Sequence, residues 1–301
     1  MTELELVRRI RRLARSGPSA GVALGIGDDC AVFRSPGSRE EILLTTDLLV
    51  EGTHFLRETH PAETVGHKAL ARGLSDVAAM GGAPRFCLVS LALPEWAGPD
   101  WVESFYRGLM ALARRTGTAL AGGDLARAEK LVCDMVVGGV APRGSALRRD
   151  GARVGDALYV SGRLGGSALG LATRAGSAWK HHLRPEPRLA LGAWLRGRAT
   201  AAMDLSDGLS LDLHRMCLES GVAAGIDRAV PAWRGASLGQ VLDGGEDYEL
   251  LFTARPRVRI PARHGRIPLT RIGTIVRGRP GAVHYFGAPL PPGGWDHFGP
   301  R

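Results

Sequence analysis

The chain reads Gly25-Ile-Gly-Asp-Asp-Cys-Ala-Val-Phe33 near its N-terminus, and Thr45-Thr-Asp47 follows after a short apolar run. A carboxylate beside a core segment is costly unless a cation or a hydrogen-bond donor meets it. Magnesium suits such oxygen-rich clusters, because it usually takes one or two protein carboxylates together with phosphate oxygens of a substrate. The alternative is an Asx turn in which Asp28 and Asp29 close the loop after Gly27. This stretch alone leaves both interpretations open.

Acidic residues beside glycine, or at the end of an apolar run, recur later in the chain. They lie in Leu74-Ser-Asp-Val-Ala-Ala-Met-Gly81, Ala121-Gly-Gly-Asp124, Met203-Asp-Leu-Ser-Asp-Gly-Leu209 and Asp243-Gly-Gly-Glu-Asp-Tyr-Glu-Leu250. Glycine lets the backbone approach a ligand closely, while carboxylates hold a metal. The recurrence favours a metal site assembled from several segments over a single structural turn.

In the order of these motifs the chain resembles the thiamine-monophosphate kinase family, of the aminoimidazole-ribonucleotide-synthetase-like superfamily. The resemblance covers nearly the whole chain, from the Gly-Asp-Asp stretch to Gly294-Trp-Asp-His-Phe298. Each motif is weak alone, but their order is specific. The resemblance implies an α/β (α+β) fold of two domains, each a mixed sheet covered by helices. It also suggests a homodimer in which the first-domain sheets join.

The resemblance implies a kinase that transfers the γ-phosphate of ATP to thiamine monophosphate, giving thiamine diphosphate and ADP. Transfer is expected by direct in-line attack assisted by several magnesium ions, without a covalent nucleophile. The implied magnesium ligands are Asp29, Thr45, Thr46, Asp47, Asp76, Asp124, Asp204 and Asp207. The implied nucleotide contacts are Tyr106, Gly123, Asp124, Arg149 and Ser206. The implied contacts to the thiamine part are His54, Glu246 and Trp295.

Several of these positions have structural alternatives. Trp295 could stack on a flat cationic ring, or it could only pin the C-terminal tail. His54 could be a satisfied loop histidine, and Asp76 an ordinary solvated helix acid. The chain also departs from the family after Gly-Gly-Asp, where it has Leu125 and Ala126 in place of the common hydroxyl residue. These two side chains cannot supply the hydroxyl oxygen that the family commonly has at that point.

The composition is that of a globular chain large enough for two domains, with 301 residues of which 45% are hydrophobic. A segment rich in glycine, proline and charge at 141–156 indicates the boundary, so we expect an N-terminal ATP-binding, magnesium-binding and dimerisation domain at 1–143 and a C-terminal α/β domain at 144–301. No apolar run approaches a membrane span and no signal-peptide region is present, which predicts a cytoplasmic protein without a membrane partner. The four cysteines lack a Cys-x-x-Cys pair and are expected to be buried free thiols.

The net charge of +9 comes almost entirely from arginine, since only three of the 39 basic residues are lysines. A basic balance can attract nucleic acid or steer a phosphorylated small molecule. The arginines are spread over every segment without a nucleic-acid-binding motif, which predicts no nucleic-acid partner. A non-catalytic RNA-binding protein is the alternative from another class. A salt titration of RNA binding, beside a nucleotide-turnover assay, separates the two.

Other nucleotide enzymes fit less well. The chain has no Gly-x-x-x-x-Gly-Lys-Ser/Thr phosphate loop, and Cys30 stands where a dinucleotide fingerprint needs its third glycine. Aminoimidazole ribonucleotide synthetase is disfavoured by His54, by the Gly-Gly-Glu-Asp-Tyr-Glu run and by the Trp-Asp-His-Phe ending. Selenophosphate synthetase is disfavoured because no reactive cysteine lies in a glycine-rich N-terminal segment.

Hydrophobic periodicity and capping signals predict the elements that carry these motifs. Helices are expected at 3–16, ended by Gly17-Pro18, and at 61–80, 99–117, 187–195 and 207–219, with another beginning near Gly166. Strands are expected at 42–46, 86–93, 118–121, 131–140, 157–161 and 200–203. The strands at 42–46 and 200–203 should deliver Asp47 and Asp204 at their ends, and Ser206 and Asp207 should cap the helix that follows.

Overall fold

The structure of the protein, a computed structural model, describes residues 2–14 and 21–298. It contains two mixed β-sheets covered by helices, which confirms the predicted fold class. The first sheet has the strand order β1-β2-β3-β6-β4-β5, with all neighbours antiparallel except β4 and β5. Its strands are β1 (Val22–Leu24), β2 (Ala31–Phe33), β3 (Glu40–Val50), β4 (Ala83–Leu93), β5 (Ala119–Arg127) and β6 (Val132–Pro142).

Two helices, α2 (Ala62–Ala79) and α3 (Pro99–Thr116), cover one face of the first sheet. They pack unusually closely, because a Cβ atom on Gly66 would lie 1.9 Å from the Phe105 carbonyl oxygen and one on Gly108 would lie 1.8 Å from that of Glu63. The absence of side chains at Gly66 and Gly108 therefore allows the backbones of the two helices to touch. Gly117, with φ of 68°, ends α3 in the left-handed conformation, as predicted.

The second sheet has eight strands in the order β14-β13-β9-β12-β7-β10-β8, with β11 paired to β12. Its strands are β7 (Ala157–Ser161), β8 (Ala199–Leu205), β9 (Ala223–Ile226), β10 (Glu249–Ala254), β11 (Arg263–His264), β12 (Ile267–Val276), β13 (Val283–Tyr285) and β14 (Ala288–Pro289). The helices of this half are α4 (Gly166–Thr173), α5 (Gly176–Leu183), α6 (Leu189–Leu195), α7 (Leu209–Glu219) and α8 (Leu238–Asp243). A separate apolar core lies beneath α7 and α8.

The N-terminal helix α1 (Glu3–Leu13) begins at a capping box formed by Thr2 and Glu5. Its first turn is held by Asp296, whose carboxylate accepts from the Glu3 amide at 3.2 Å, and Arg11 pairs with Glu219 at 3.0 Å. Helix α1 therefore contacts α7 and the C-terminal tail, although it precedes the first sheet in sequence. The predicted stop at Gly17-Pro18 lies outside the described residues.

Two local predictions were wrong. Strand β3 does not end at Asp47 but continues to Val50, whereas β8 ends at Leu205 and carries Asp204 at its end, as predicted. Ser206 and Asp207 do not cap α7; the carboxylate of Asp212 accepts instead from the amides of Asp207 and Gly208, both at 3.1 Å.

The four cysteines are buried free thiols, as predicted. Among the described residues, no helix combines the length and the apolar character needed to cross a membrane.

Candidate active site

Three carboxylates meet between the two sheets. Asp29 lies in the loop before β2, Asp76 on the last turn of α2 and Asp204 inside β8, and one oxygen of each lies within 4.8 Å of the others. We call these three residues the acid cluster. Thr45 donates its hydroxyl to Asp76 at 2.5 Å, and Ser75 donates its hydroxyl to Asp204 at 2.7 Å. The cluster thus joins the first half of the chain to the second.

The acid cluster is electrostatically unfavourable without a cation. Burial, with neighbouring carboxylates, raises the pKa of Asp76 well above its usual value and that of Asp204 to about 7. Burial also raises the pKa of Asp29, which Arg149 opposes. One oxygen of Asp29, Oδ2, is buried and finds no hydrogen-bond partner within residues 2–14 and 21–298. An all-oxygen, closely spaced and under-satisfied donor set of this kind fits a hard divalent cation such as Mg²⁺.

A cavity of about 310 Å³ opens beside the acid cluster and is hereafter the first cavity. The carboxylates on its walls include Asp47, Asp76, Asp204 and Asp207. The same walls carry His54, Glu246 and Trp295, the three residues expected to contact the thiamine part. The structure therefore brings four predicted metal ligands and all three predicted substrate contacts to one space.

Asp47, Asp207 and Thr46 are held differently from the acid cluster. Asp47 accepts from the Arg72 guanidinium at 3.1 Å, and Asp207 pairs with Arg215. Thr46 donates its hydroxyl to Asp134 at 2.5 Å, on the face of the first sheet that the helices do not cover. Its side chain thus points away from the acid cluster, whereas that of Thr45 points toward it.

A second cavity of about 270 Å³ lies under α1 and shares the walls formed by Glu3, Asp76, Asp204 and Ser206 with the first. Arg149 reaches this cavity, but its guanidinium pairs with Asp29 and its amide donates to Asp28 at 3.2 Å. Two predicted nucleotide contacts, Ser206 and Arg149, therefore lie at the acid cluster. In this state Arg149 neutralises an acid that a metal would otherwise hold.

The remaining nucleotide residues lie elsewhere in the chain. Tyr106, Gly123 and Asp124 line a shallow hollow along β5, the edge strand of the first sheet. Three inter-strand steps of roughly 4.8 Å separate β5 from β3, so Asp124 lies about 14 Å from the strand of Asp47. Within one chain Asp124 cannot share an ion with the acid cluster. Gly123 is required by packing, because a Cβ there would lie 1.8 Å from the Val89 carbonyl oxygen.

The imidazole of His54 is only half satisfied. Its Nδ1 accepts from the Val50 amide at 3.0 Å, which assigns the neutral-ring proton to Nε2. In the part of the chain that the structure describes, Nε2 is buried without a partner. Burial, aided by Arg72, lowers the pKa of His54 to about 3. His54 thus presents a neutral N–H donor beside the first cavity, which argues against a purely structural loop histidine.

Trp295 is held by its backbone but not by its ring. Its amide donates to the Asp207 carbonyl at 2.8 Å, while the residue is 48% exposed. The ring meets His297 edge to face at 5.6 Å between centroids, and His297 in turn lies 5.1 Å from His54. The three rings form an aromatic wall with room for a flat ligand. The tail is therefore anchored at this point, while about half of the Trp295 surface stays exposed.

Sequence reasoning missed Arg72, Lys68 and His297. Arg72 pairs with Asp47, while its Nε and one terminal nitrogen are buried and lack partners among the residues that the structure describes. Burial opposes its charge, but Tyr248, Asp47 and Glu246 raise the pKa of Arg72 further. The signal was present, because Lys68, Arg72 and Asp76 recur every four residues and so share one face of α2.

A mixed two-sheet fold with an acidic site between its halves defines an AIR-synthase-related protein, and the model of "AIR synthase related protein, N-terminal domain" matches residues 27–141. The thiamine-monophosphate kinase of Salmonella typhimurium is 39% identical over 91% of this chain and 90% of its own length. The crystal structure of thiamine-monophosphate kinase from Stenotrophomonas maltophilia K279a has 39% identity and a TM-score of 0.78, covering 95% of this chain and 96% of that one. "AaThiL complexed with AMPPCP and TMP" has 33% identity and a TM-score of 0.87, covering 99% and 97%. The chain belongs to the thiamine-monophosphate kinase family and is an ATP-dependent phosphotransferase.

Proposed function

We propose that this protein transfers the γ-phosphate of ATP to thiamine monophosphate, giving thiamine diphosphate and ADP. The observation that carries the proposal is the first cavity, where Asp76 and Asp204 of the acid cluster face His54, Glu246 and Trp295. The complex of AaThiL with AMPPCP and TMP supports both substrates, since that protein shares the fold at a TM-score of 0.87.

The acid cluster is the proposed magnesium site, with Asp47 and Asp207 as further ligands on the wall of the first cavity. Several ions are proposed, because these carboxylates and Thr45 offer more oxygens than one octahedral ion takes. When bound, magnesium supplies positive charge that neutralises the phosphates during transfer. Arg149 and Arg215 now pair with Asp29 and Asp207, and they would be released to bind phosphate oxygens as the ions take over those carboxylates.

The remaining side chains position the acceptor. Glu246 offers a carboxylate to the positively charged ring, Trp295 offers its indole face, and His54 donates from Nε2. Arg72 lies between these groups and Asp47, and its unpartnered N–H groups suit the acceptor phosphate.

Direct in-line attack is the proposed route, because phosphoryl transfer needs positioning and charge neutralisation more than covalent chemistry. The best-placed alternative nucleophile is Ser167, which lines the first cavity and contacts His182 Nδ1 at 2.8 Å. Burial, followed by Lys68, lowers the pKa of His182 to about 3, which makes it a weak base for activating a hydroxyl.

Incubation with ATP, Mg²⁺ and thiamine monophosphate tests the proposal. Thiamine diphosphate and ADP should form in equal amounts, and thiamine without its phosphate should not be turned over. A chiral γ-phosphate should emerge inverted, and no phosphate should stay on Ser167. Absence of thiamine diphosphate would refute the function, while retained configuration would refute only the in-line route.

Replacing Trp295 by alanine should raise the KM for thiamine monophosphate roughly tenfold, because a stacking and cation–π contact of about 1 to 2 kcal/mol is lost. The KM for ATP should hardly move. Steady-state kinetics for each substrate, beside a melting curve, measure this. Equal increases in both KM values, with a lower melting temperature, would leave Trp295 only the structural role of pinning the tail.

The division into domains 1–143 and 144–301 remains a proposal. It is supported by the two sheets, whose strands fall within residues 22–142 and 157–289. We also propose a homodimer joined through the uncovered face of the first sheet, where Leu44 and Leu48 are 38% and 51% exposed. A second copy on that face would cover these leucines. A cytoplasmic location likewise remains a prediction.

Replacing Leu48 by aspartate should dissociate this dimer, because a charge would be buried at the centre of the interface. The matched control is Leu238→Asp, since Leu238 is similarly exposed, at 54%, but lies on α8. Sedimentation velocity at micromolar concentration gives the readout. A monomeric wild-type protein, or a dimer that survives Leu48→Asp unchanged, would contradict the proposed interface.

A further inference from the structure

Lys68 is unusual in this chain, because it is a lysine and it is buried. Arginine supplies almost all of the 39 basic residues, and the other two lysines, Lys130 and Lys180, are exposed. Lys68 is only 1% exposed, on the face of α2 that also carries Arg72 and Asp76. A buried ammonium group is costly unless it is paired, so the partners of Lys68 determine whether its charge is tolerated.

The ammonium group of Lys68 joins two loops that form the first cavity. It donates to Glu246 Oε2 at 2.7 Å and to the backbone carbonyl of His54 at 3.4 Å. His54 belongs to the first half of the chain and Glu246 to the second. Lys68 itself does not line the first cavity, so it acts from behind the two residues that do.

The contact leaves one oxygen of Glu246 free. Oε2 faces Lys68, while Oε1 is buried and has no hydrogen-bond partner among the described residues. The loop that carries Glu246 is conformationally demanding, since Glu246 and Tyr248 have φ of 63° and 49°. The backbone of Glu246 is tied by its amide, which donates to the Ser206 carbonyl at 2.7 Å. The backbone of Glu246 is therefore fixed, while one of its carboxylate oxygens is paired and the other is not.

Lysine suits this role better than arginine. A guanidinium is a rigid fork that tends to bind both oxygens of a carboxylate, whereas an ammonium is a compact point charge. An arginine at position 68 would thus compete with any ligand for Oε1. The chain places lysine where a single oxygen has to be held and the other kept free.

We propose that Lys68 is a positioning residue that fixes Glu246 and the His54 loop, so that Glu246 Oε1 accepts a hydrogen bond from a cationic or N–H-bearing ring of the substrate. The inference rests on the proposed function, because the thiamine part of the acceptor is such a ring. It extends that function to a residue that does not touch the substrate.

The charge on Glu246 depends on its neighbours. Burial alone would raise its pKa, but Lys68, then His182 and Arg72, lower the pKa of Glu246 to about 2. The groups that face it are Lys68 and Arg72 from α2, His182 from α5, the His54 loop and Tyr248 of its own segment. Without Lys68 the carboxyl pKa should rise. A carboxylate with a raised pKa is lost as the pH falls through that pKa, and the ring contact is lost with it.

The test is calorimetric binding of thiamine monophosphate to the full chain, comparing wild type with Lys68→Met and the control Lys130→Met. We expect Lys68→Met to bind at least tenfold more weakly at pH 7.5. The ratio of its dissociation constant to that of wild type should grow as the pH is lowered to 5.5. Lys130→Met should bind like wild type at both pH values.

Glu246→Gln and the double variant Lys68→Met/Glu246→Gln test whether Lys68 acts through Glu246. The double variant has no unpaired buried charge, so it remains informative if Lys68→Met alone does not fold. Adding Lys68→Met to Glu246→Gln should change binding less than threefold, because the two substitutions remove one shared function.

The outcomes separate the inference from the proposed function. A wild-type protein that does not bind thiamine monophosphate would overturn the proposed function, and this inference with it. Wild-type binding together with Lys68→Met binding within twofold, a constant ratio across pH, or full additivity with Glu246→Gln would overturn the role of Lys68 alone.

Discussion

Replacing Asp204 by asparagine is expected to lower kcat about a thousandfold while leaving the fold intact. Asparagine keeps the size of the side chain and can still accept from Ser75, but it removes one of the three charges that converge in the acid cluster. Loss of several kcal/mol of charge stabilisation corresponds to a reduction of this order, at about 1.4 kcal/mol per tenfold.

The same substitution should stabilise the metal-free protein. Burial, together with Asp29, Asp47 and Asp207, disfavours the charge on Asp204, so removing that charge relieves repulsion. In EDTA at pH 8 the variant should melt higher than wild type. Added Mg²⁺ should then raise the melting temperature of wild type but much less that of the variant. The control is Asp227→Asn, because Asp227 is an exposed acid of the same half. Wild-type turnover by Asp204→Asn, or equal Mg²⁺ stabilisation, would remove Asp204 from the metal site.

The sequence marks Asp47 and Asp204 as candidate site residues, but it does not show which side chains pair with them in the folded protein. Glycine-rich and apolar flanks mark Asp47 and Asp204 as unusual, and a strand end is the ordinary place for such residues. In the structure α2 reaches across and supplies Arg72 to one and Ser75 to the other. This long-range pairing makes an acid tolerable inside a strand, and no local pattern reports it.

The contact between the two halves of the chain could not be predicted from local sequence patterns, for the same reason. Asp29, Asp76 and Asp204 are distant in the chain, and their approach depends on how two sheets pack. The resemblance implied that they share a site, whereas periodicity alone placed them on separate elements. Strand order was equally important, because it puts β5 at the edge of the sheet and leaves Asp124 far from the acid cluster.

Lys68 and Arg72, which the sequence predictions omitted, follow the helix period of α2. The apolar stripe of α2, formed by Val65, Ala69, Gly73 and Val77, packs on the first sheet, since a Cβ atom on Gly73 would lie 2.6 Å from the Val137 side chain. Lys68, Arg72 and Asp76 form another line at the same spacing of four, and each carries a charge. A helix that is buried nearly all round, with three ionisable residues in one line, indicates a functional face.

Replacing Arg72 by methionine is expected to lower kcat/KM for thiamine monophosphate at least about a hundredfold. Methionine preserves much of the apolar stem but removes two buried N–H groups without partners and the donor to Asp47. Hydrogen bonds to charged groups contribute about 1.5 to 3 kcal/mol each, so losing one or two of them to a phosphate accounts for this factor. Arg72→Lys should recover only part of the activity, because an ammonium restores the charge without the planar fork.

In steady-state kinetics, Arg72→Met should lower kcat/KM for thiamine monophosphate far more than it changes the KM for ATP. Arg85→Met is the matched control, since Arg85 is exposed and pairs only with the exposed Glu40 at 3.5 Å. That variant should retain wild-type kinetics, because an exposed ion pair contributes little. If Arg72 only balances the charge of Asp47, then Arg72→Met should be rescued by Asp47→Asn in the same chain. Rescue of turnover by that double variant would show that Arg72 does not contact the substrate. We expect the double variant to be at least as impaired as Arg72→Met, because both the proposed metal ligand and the phosphate donor would be lost.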